Sequence, residues 1–94
     1  MTKKFYVVSY DITDDKKRNN VCKTLKNYGV RVQKSVFECI LTDSQYCKMK
    51  GNLDKVIDYD TDSIRYYRLC KNCVEIIEIT GNGHVHDEQD LMIL

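Results

Sequence analysis

The sequence predicts an α+β fold, one antiparallel sheet with two helices laid across one of its faces. Three observations carry this expectation. Strand-like apolar runs and two segments of helical periodicity alternate in the order strand, helix, two strands, helix, strand, strand. The first apolar run has large apolar side chains on both of its faces, as a central strand does. The 94 residues contain no Pro and no Gly/Ser tract, so the length is that of one domain, 1–94, without linkers.

Lys4 to Tyr10 is the first strand, with Phe5 and Val7 on one face and Tyr6, Val8 and Tyr10 on the other. Thr13 or Asp14 then caps a helix running to about Tyr28. Its apolar positions Val21, Cys22, Leu25 and Tyr28 recur at helical spacing, and Asp14 and Asp15 suit its positive end. Gly29 is expected in the left-handed position after the last turn. Val30 to Leu41 is rich in β-branched and aromatic residues and too long for one strand, so a bend or tight hairpin is expected around Gln33 to Val36. Thr42 and Gln45 have capping-box spacing, with Leu41 and Tyr46 placed as a hydrophobic staple. This second helix is expected to reach about Ile57, with Tyr46, Met49, Leu53, Val56 and Ile57 inward. A polar loop, Asp58 to Asp62, leads to a strand from Ser63 to Leu69. "CKNC" follows as a turn, and Val74 to Thr80 as a further strand.

This order fits a ferredoxin-like βαββαβ sandwich with an extra C-terminal strand. The extra strand has no place in the minimal fold. Pairing it across a homodimer would remove an exposed edge, so residues 74–94 are expected to contribute to a dimer interface. The terminal "LMIL" is expected to dock on the core or on a partner.

Net charge is +1, but it is unevenly spread. Lys3 to Lys34 holds nine Lys and Arg against three Asp, and the remainder holds six against eleven acidic residues. The basic first third has the character of a polyanion-binding surface; a solvated helix face balanced by the acidic half is the alternative. The apolar runs are too short to span a membrane. Five Cys without a secretory leader point to reduced thiols and a cytoplasmic location. Cys70-x-x-Cys73 has zinc-like spacing, but the following His84-x-His86 makes a poor second pair, so a hairpin turn with reduced Cys is the preferred reading. The only two His lie in the tail, which excludes a His-based hydrolytic triad. No phosphate-binding Gly loop is present, the four Gly being read as element ends.

Chemistry concentrates at "YDITDDKKR". Asp11 ends the presumed central strand, where a carboxylate is exposed yet held rigidly. Mg²⁺ takes hard oxygen ligands, often one or two carboxylates completed by water and phosphate oxygens, and one Asp11 from each protomer of a dimer would supply two. A plain strand-ending or turn-capping role is the alternative. Lys17, Arg18, Arg31 and Lys34 could meet phosphates, and Tyr10 and Phe37 could stack on bases or fill the core.

The Tyr10–Asp11 pair after an apolar strand, the basic helix with Arg18, "YGVRVQKSVFECIL" from Tyr28 to Leu41, and "DSIRYYRL" from Asp62 to Leu69 together resemble the second CRISPR-associated protein family (Cas-two). The resemblance spans nearly the whole chain. It implies a ferredoxin-like homodimer and a Mg²⁺-dependent endonuclease acting on single-stranded RNA or double-stranded DNA. It also implies a part in spacer acquisition beside the CRISPR integrase (Cas-one). It further implies Asp11 as the catalytic, metal-binding carboxylate, with Tyr10, Lys17, Arg18, Arg31, Ser35 and Phe37 as nucleic-acid contacts. One departure is notable: the family's helix often carries two consecutive Arg, and here the pair is Lys17–Arg18, which replaces one guanidinium fork by a point charge. A non-catalytic DNA-holding adaptor for the integrase is the second reading, and a ligand-binding regulatory domain the third.

Overall fold

The computed structural model describes residues 2–70. The expected strand at 74–80, the Cys70/Cys73 turn beyond its first residue and the tail lie outside the described residues. The elements are β1 (Lys4–Asp11), α1 (Asp15–Leu25), β2 (Gly29–Gln33), β3 (Val36–Leu41), α2 (Asp43–Asp54) and β4 (Ser63–Leu69). The strands form one sheet in the order β2-β3-β1-β4, with every neighbouring pair antiparallel. That is the ferredoxin-like arrangement, and it makes β1 a central strand with a neighbour on each side.

The side-chain period of two sorts the sheet into two faces. Tyr6, Val8 and Tyr10 of β1 join Phe37, Cys39 and Leu41 of β3 on the helix side. There they meet Val21 and Leu25 of α1 and Met49 and Leu53 of α2 in one buried cluster. Val8, Val21, Leu25, Met49 and Leu53 are fully buried. Burial of each such side chain contributes about 1.5–3 kcal/mol. Tyr28 and Asn52 tie the α1–β2 connection to α2 through a 2.9 Å hydrogen bond donated by Asn52 Nδ2. Tyr6 and Tyr46 stack at 4.2 Å, Tyr66 meets Tyr46 edge-on, and Lys50 Nζ lies 5.4 and 5.2 Å from the Tyr46 and Tyr66 ring centroids.

The helix starts follow the expected chemistry. Asp14 caps α1, its Oδ2 accepting from Lys17 N at 2.9 Å. The Thr42–Gln45 capping box is complete: Gln45 N donates to Thr42 Oγ1 at 3.2 Å, and Thr42 N donates to Gln45 Oε1 at 2.8 Å. Both helices end about three residues early. After Leu25, Asn27 N bonds to Thr24 O and Tyr28 N to Leu25 O, and Val56 N bonds to Leu53 O; these tighter turns close each helix. Tyr28, Val56 and Ile57 still pack on the core from outside the helices.

Two glycines differ from expectation. Gly29 does not occupy a left-handed C-cap; it begins β2, pressed against β3. A Cβ there would lie 2.4 Å from both Cys39 Sγ and the Glu38 carbonyl oxygen. Gly51 is not at an element end but inside α2, with open space around its missing Cβ. The hairpin expected around Gln33 to Val36 is present, with Lys34 and Ser35 as its turn.

Candidate active site on the helix-free sheet face

The face of the sheet opposite the helices carries Val7, Ser9 and Asp11 from β1, Val36 and Glu38 from β3, and Ser63, Arg65 and Tyr67 from β4. The register pairs Val7 with Glu38 and Tyr67, Ser9 with Val36 and Arg65, and Asp11 with Ser63. Asp11 therefore ends the central strand on the face opposite the helices. Its side chain is exposed. Among the described residues its carboxylate takes part in no hydrogen bond or ion pair, which leaves both oxygens open to a ligand. It lies in a shallow depression with Ser9, Ser63, Arg65 and Tyr67.

The other expected site residues divide by role. Tyr10 is 5 % exposed and Phe37 0 %, and their rings meet at 6.4 Å inside the core. Of the two roles open to them, this is core packing and not the base stacking that would make them the nucleic-acid contacts the family resemblance implies: period-two alternation turns both inward, so neither offers a free ring face. Tyr10 holds the β2–β3 turn instead, donating from its hydroxyl to Lys34 O at 3.3 Å and from its N–H to Ser35 O at 3.1 Å. Burial, then the neighbouring Cys22 thiol, raises its phenol above the ordinary tyrosine range. Arg31 braces the same turn, donating to Gln33 O at 3.4 Å and Lys34 O at 2.9 Å. Ser35, within this turn, is half-buried.

Arg18 donates to Ile12 O at 3.3 Å and pairs with Asp15. Its guanidinium thus holds the β1–α1 connection immediately after Asp11. Lys17 Nζ lies 3.8 Å from Asp62 Oδ2, a side chain only 2 % exposed that also accepts from Asp58 N at 2.8 Å. That link anchors the loop delivering Ser63 beside Asp11. Lys16, Lys23 and Lys26 are exposed on α1.

Ser63 and Arg65 were missed by reading for motifs. The alternation in "SIRYYRL" puts Ser63, Arg65 and Tyr67 on one face, but only the pairing of β4 with β1 shows that this face is the one carrying Asp11. Among the described residues no group of three or more His, Cys, Asp or Glu is placed to hold a metal ion. The donor set nonetheless suits Mg²⁺, which keeps several waters and needs only one or two hard carboxylate ligands from protein. No helix among the described residues is long and apolar enough to cross a membrane.

A ferredoxin-like domain with an exposed carboxylate at the end of its central strand, on a face that no helix among the described residues covers, defines the class of small sheet proteins to which this chain belongs. The particular family follows from comparison with known proteins. The model of the family "CRISPR associated protein Cas2" matches residues 4–77, and the chain belongs to this family. The chain is 44% identical over 92 residues to CRISPR-associated endoribonuclease Cas2 1 of Chloroflexus aurantiacus, covering 96% of this chain and 99% of that protein. The crystal structure of Streptococcus pyogenes Cas2 superposes with a TM-score of 0.73 at 39% identity, covering 82% and 99% of the two chains. A chain from a partial Cas6-RT-Cas1–Cas2 complex superposes with a TM-score of 0.71 at 29% identity, covering 81% and 83%.

Proposed function

We propose that this Cas2-family chain is a Mg²⁺-dependent endonuclease of CRISPR spacer acquisition, cleaving phosphodiester bonds in single-stranded RNA, double-stranded DNA or both. The observation that carries the reading is Asp11, an exposed carboxylate without a partner among the described residues, on a strand held from both sides. The C. aurantiacus relative is named an endoribonuclease, and the neighbouring complex contains Cas1, which supports a Cas1-type integrase as partner.

Asp11 would hold the cation at the end of β1. When bound, Mg²⁺ lowers the pKa of a coordinated water and polarises a phosphoryl oxygen. The chain's own contribution is rigidity and charge. Arg18 fixes the backbone just after Asp11, and the Lys17–Asp62 link fixes the Ser63 side of the depression. The exposed lysines of α1 would follow the nucleic-acid backbone, giving binding that weakens steeply with salt.

The site works as a homodimer in this reading. Val7, Val30, Val36 and Ile40 are half-buried, and Tyr67 is 47% exposed, on a sheet face that no helix among the described residues covers. Glu38 Oε1 is buried there without a hydrogen-bond partner among the described residues, a costly arrangement until a donor is supplied. A second copy packed on this face would supply one and bring a second Asp11.

The decisive experiment compares cleavage of labelled single-stranded RNA and duplex DNA by the wild type and Asp11→Ala, with Mg²⁺ and with EDTA. Metal-dependent cleavage lost in Asp11→Ala, with nucleic-acid binding retained, is the expected result; equal cleavage by both proteins refutes it. A DNA-holding adaptor for the integrase is the second reading, favoured by the single carboxylate per protomer. It predicts duplex binding without metal-dependent cleavage in the wild type.

A further inference from the structure

We propose that Arg65 binds a phosphate of the substrate beside Asp11, supplying from β4 the guanidinium that the sequence motifs assign to other residues. The inference rests on the reading of Asp11 above and names a substrate-contacting group at the same site.

The placement comes from strand register. Ser63 pairs with Asp11 and Arg65 pairs with Ser9, so Asp11 and Arg65 are diagonal neighbours on one face of adjacent antiparallel strands. Such neighbours lie about 7–8 Å apart, within joint reach of one phosphodiester. Both side chains are exposed and line the same depression. They form no salt bridge with each other, so neither neutralises the other before substrate arrives.

The four arginines of the chain divide sharply. Arg18 is occupied by Ile12 O and Asp15, and Arg31 by the carbonyls of Gln33 and Lys34. Arg68 pairs in register with Tyr6 on the helix side of the sheet and lines a different depression. Arg65 alone shares the face of Asp11, and its guanidinium has no hydrogen bond or ion pair among the described residues. A planar guanidinium presents two parallel donors that match two phosphate oxygens, and its charge persists at any working pH. With a cation on Asp11 and a fork on Arg65, one phosphate is gripped from two sides.

The test uses the full chain with labelled single-stranded RNA and duplex oligonucleotides, with and without one neutral methylphosphonate at the cleaved linkage. Binding is read by fluorescence anisotropy in an Asp11→Asn background, and cleavage in the Asp11 protein. Arg65→Ala is expected to weaken binding of the all-phosphate oligonucleotide roughly ten- to hundredfold, the worth of a charge-assisted pair. It should flatten the salt dependence by about one phosphate contact. Arg65→Lys should restore part of the affinity, and the methylphosphonate should abolish the difference in binding between the Asp11→Asn proteins with Arg65 and with Arg65→Ala. Arg68→Ala, which removes the same charge from the other face, should leave this discrimination intact. Unchanged affinity in Arg65→Ala overturns the proposal, as does an equal loss in Arg68→Ala. Conversion of a dimer to monomers by Arg65→Ala in gel filtration also overturns it, because the residue is then an interface group. Should Asp11→Asn leave cleavage untouched, the reading of Asp11 fails by itself, while the anisotropy comparison still judges Arg65.

Discussion

Phe37 separates two accounts of the same aromatic side chain, core packing and base stacking, by their magnitudes. Its ring is fully buried against Tyr10. Truncation to Ala removes a core aromatic and leaves a cavity, a change that costs about 3–5 kcal/mol. A domain of this size has a total stability of about 5–15 kcal/mol, so Phe37→Ala is expected to be partly unfolded or to melt at least roughly 12 °C lower, at about 4–8 °C per kcal/mol. Phe37→Leu is the informative variant. It retains most of the apolar volume, costs under about 1.5 kcal/mol and melts a few degrees lower. A stacked base is worth about 1–3 kcal/mol, or roughly 5- to 150-fold in affinity. Thermal melts by circular dichroism, paired with anisotropy on single-stranded RNA and duplex DNA, distinguish the two. The structure predicts a lower melting temperature for Phe37→Leu with affinity unchanged within about twofold. An unchanged melting temperature with affinity lowered fivefold or more would refute the core assignment.

The two glycines should respond in opposite directions. Gly29→Ala drives a methyl into the Glu38 carbonyl and the Cys39 sulfur and should destabilise by about 1–3 kcal/mol in chemical denaturation. Adding Cys39→Ala should relieve only part of this, because the backbone oxygen remains. Gly51→Ala fills open space inside α2 and should stabilise by about 0.5–1 kcal/mol in the same assay. Thr42→Ala removes the capping box of α2 and should cost about 0.5–2 kcal/mol in the same measurement. Burial pushes the Cys39 thiol up to about 12, with the Glu38 charge adding to the shift. In the folded state this group therefore keeps its proton where the unfolded chain loses it. Stability should fall as pH rises from about 9 towards 12, and Cys39→Ala should reduce that slope in urea denaturation. At pH 8 a thiol reagent should label exposed Cys47 while sparing Cys39.

The fold was legible because each element carried its own local signal. Apolar residues on both faces of Lys4–Tyr10 indicated a central strand, the Thr42–Gln45 pair fixed the start of α2, and Ser63–Leu69 emerged with its expected bounds. Helix ends were less legible, since Tyr28, Val56 and Ile57 keep helical spacing in sequence while packing from tight turns. Gly29 was misread because a strand pressed against its neighbour leaves no local trace; the requirement comes from Glu38 and Cys39, nine and ten residues away. The site followed the same division. The exposed place of Asp11 at the end of β1 could be read from its own strand. The placement of Arg65 depends on which strand lies beside which, whereas Arg18 and Arg31 are occupied by groups within six residues of themselves, which a pattern of charges does not reveal. Sequence periodicity sets a residue's face but not its neighbour across the sheet.

Asp11 is proposed to hold the divalent cation, and metal binding tests that role free of any contaminating nuclease. Mn²⁺ binding to the full chain, followed by electron paramagnetic resonance in the wild type and in Asp11→Asn, is the most direct measurement. Bound Mn²⁺ seen with the wild type should be lost in Asp11→Asn, while both proteins retain the same fold by circular dichroism. Equal Mn²⁺ affinity in the two proteins would contradict it.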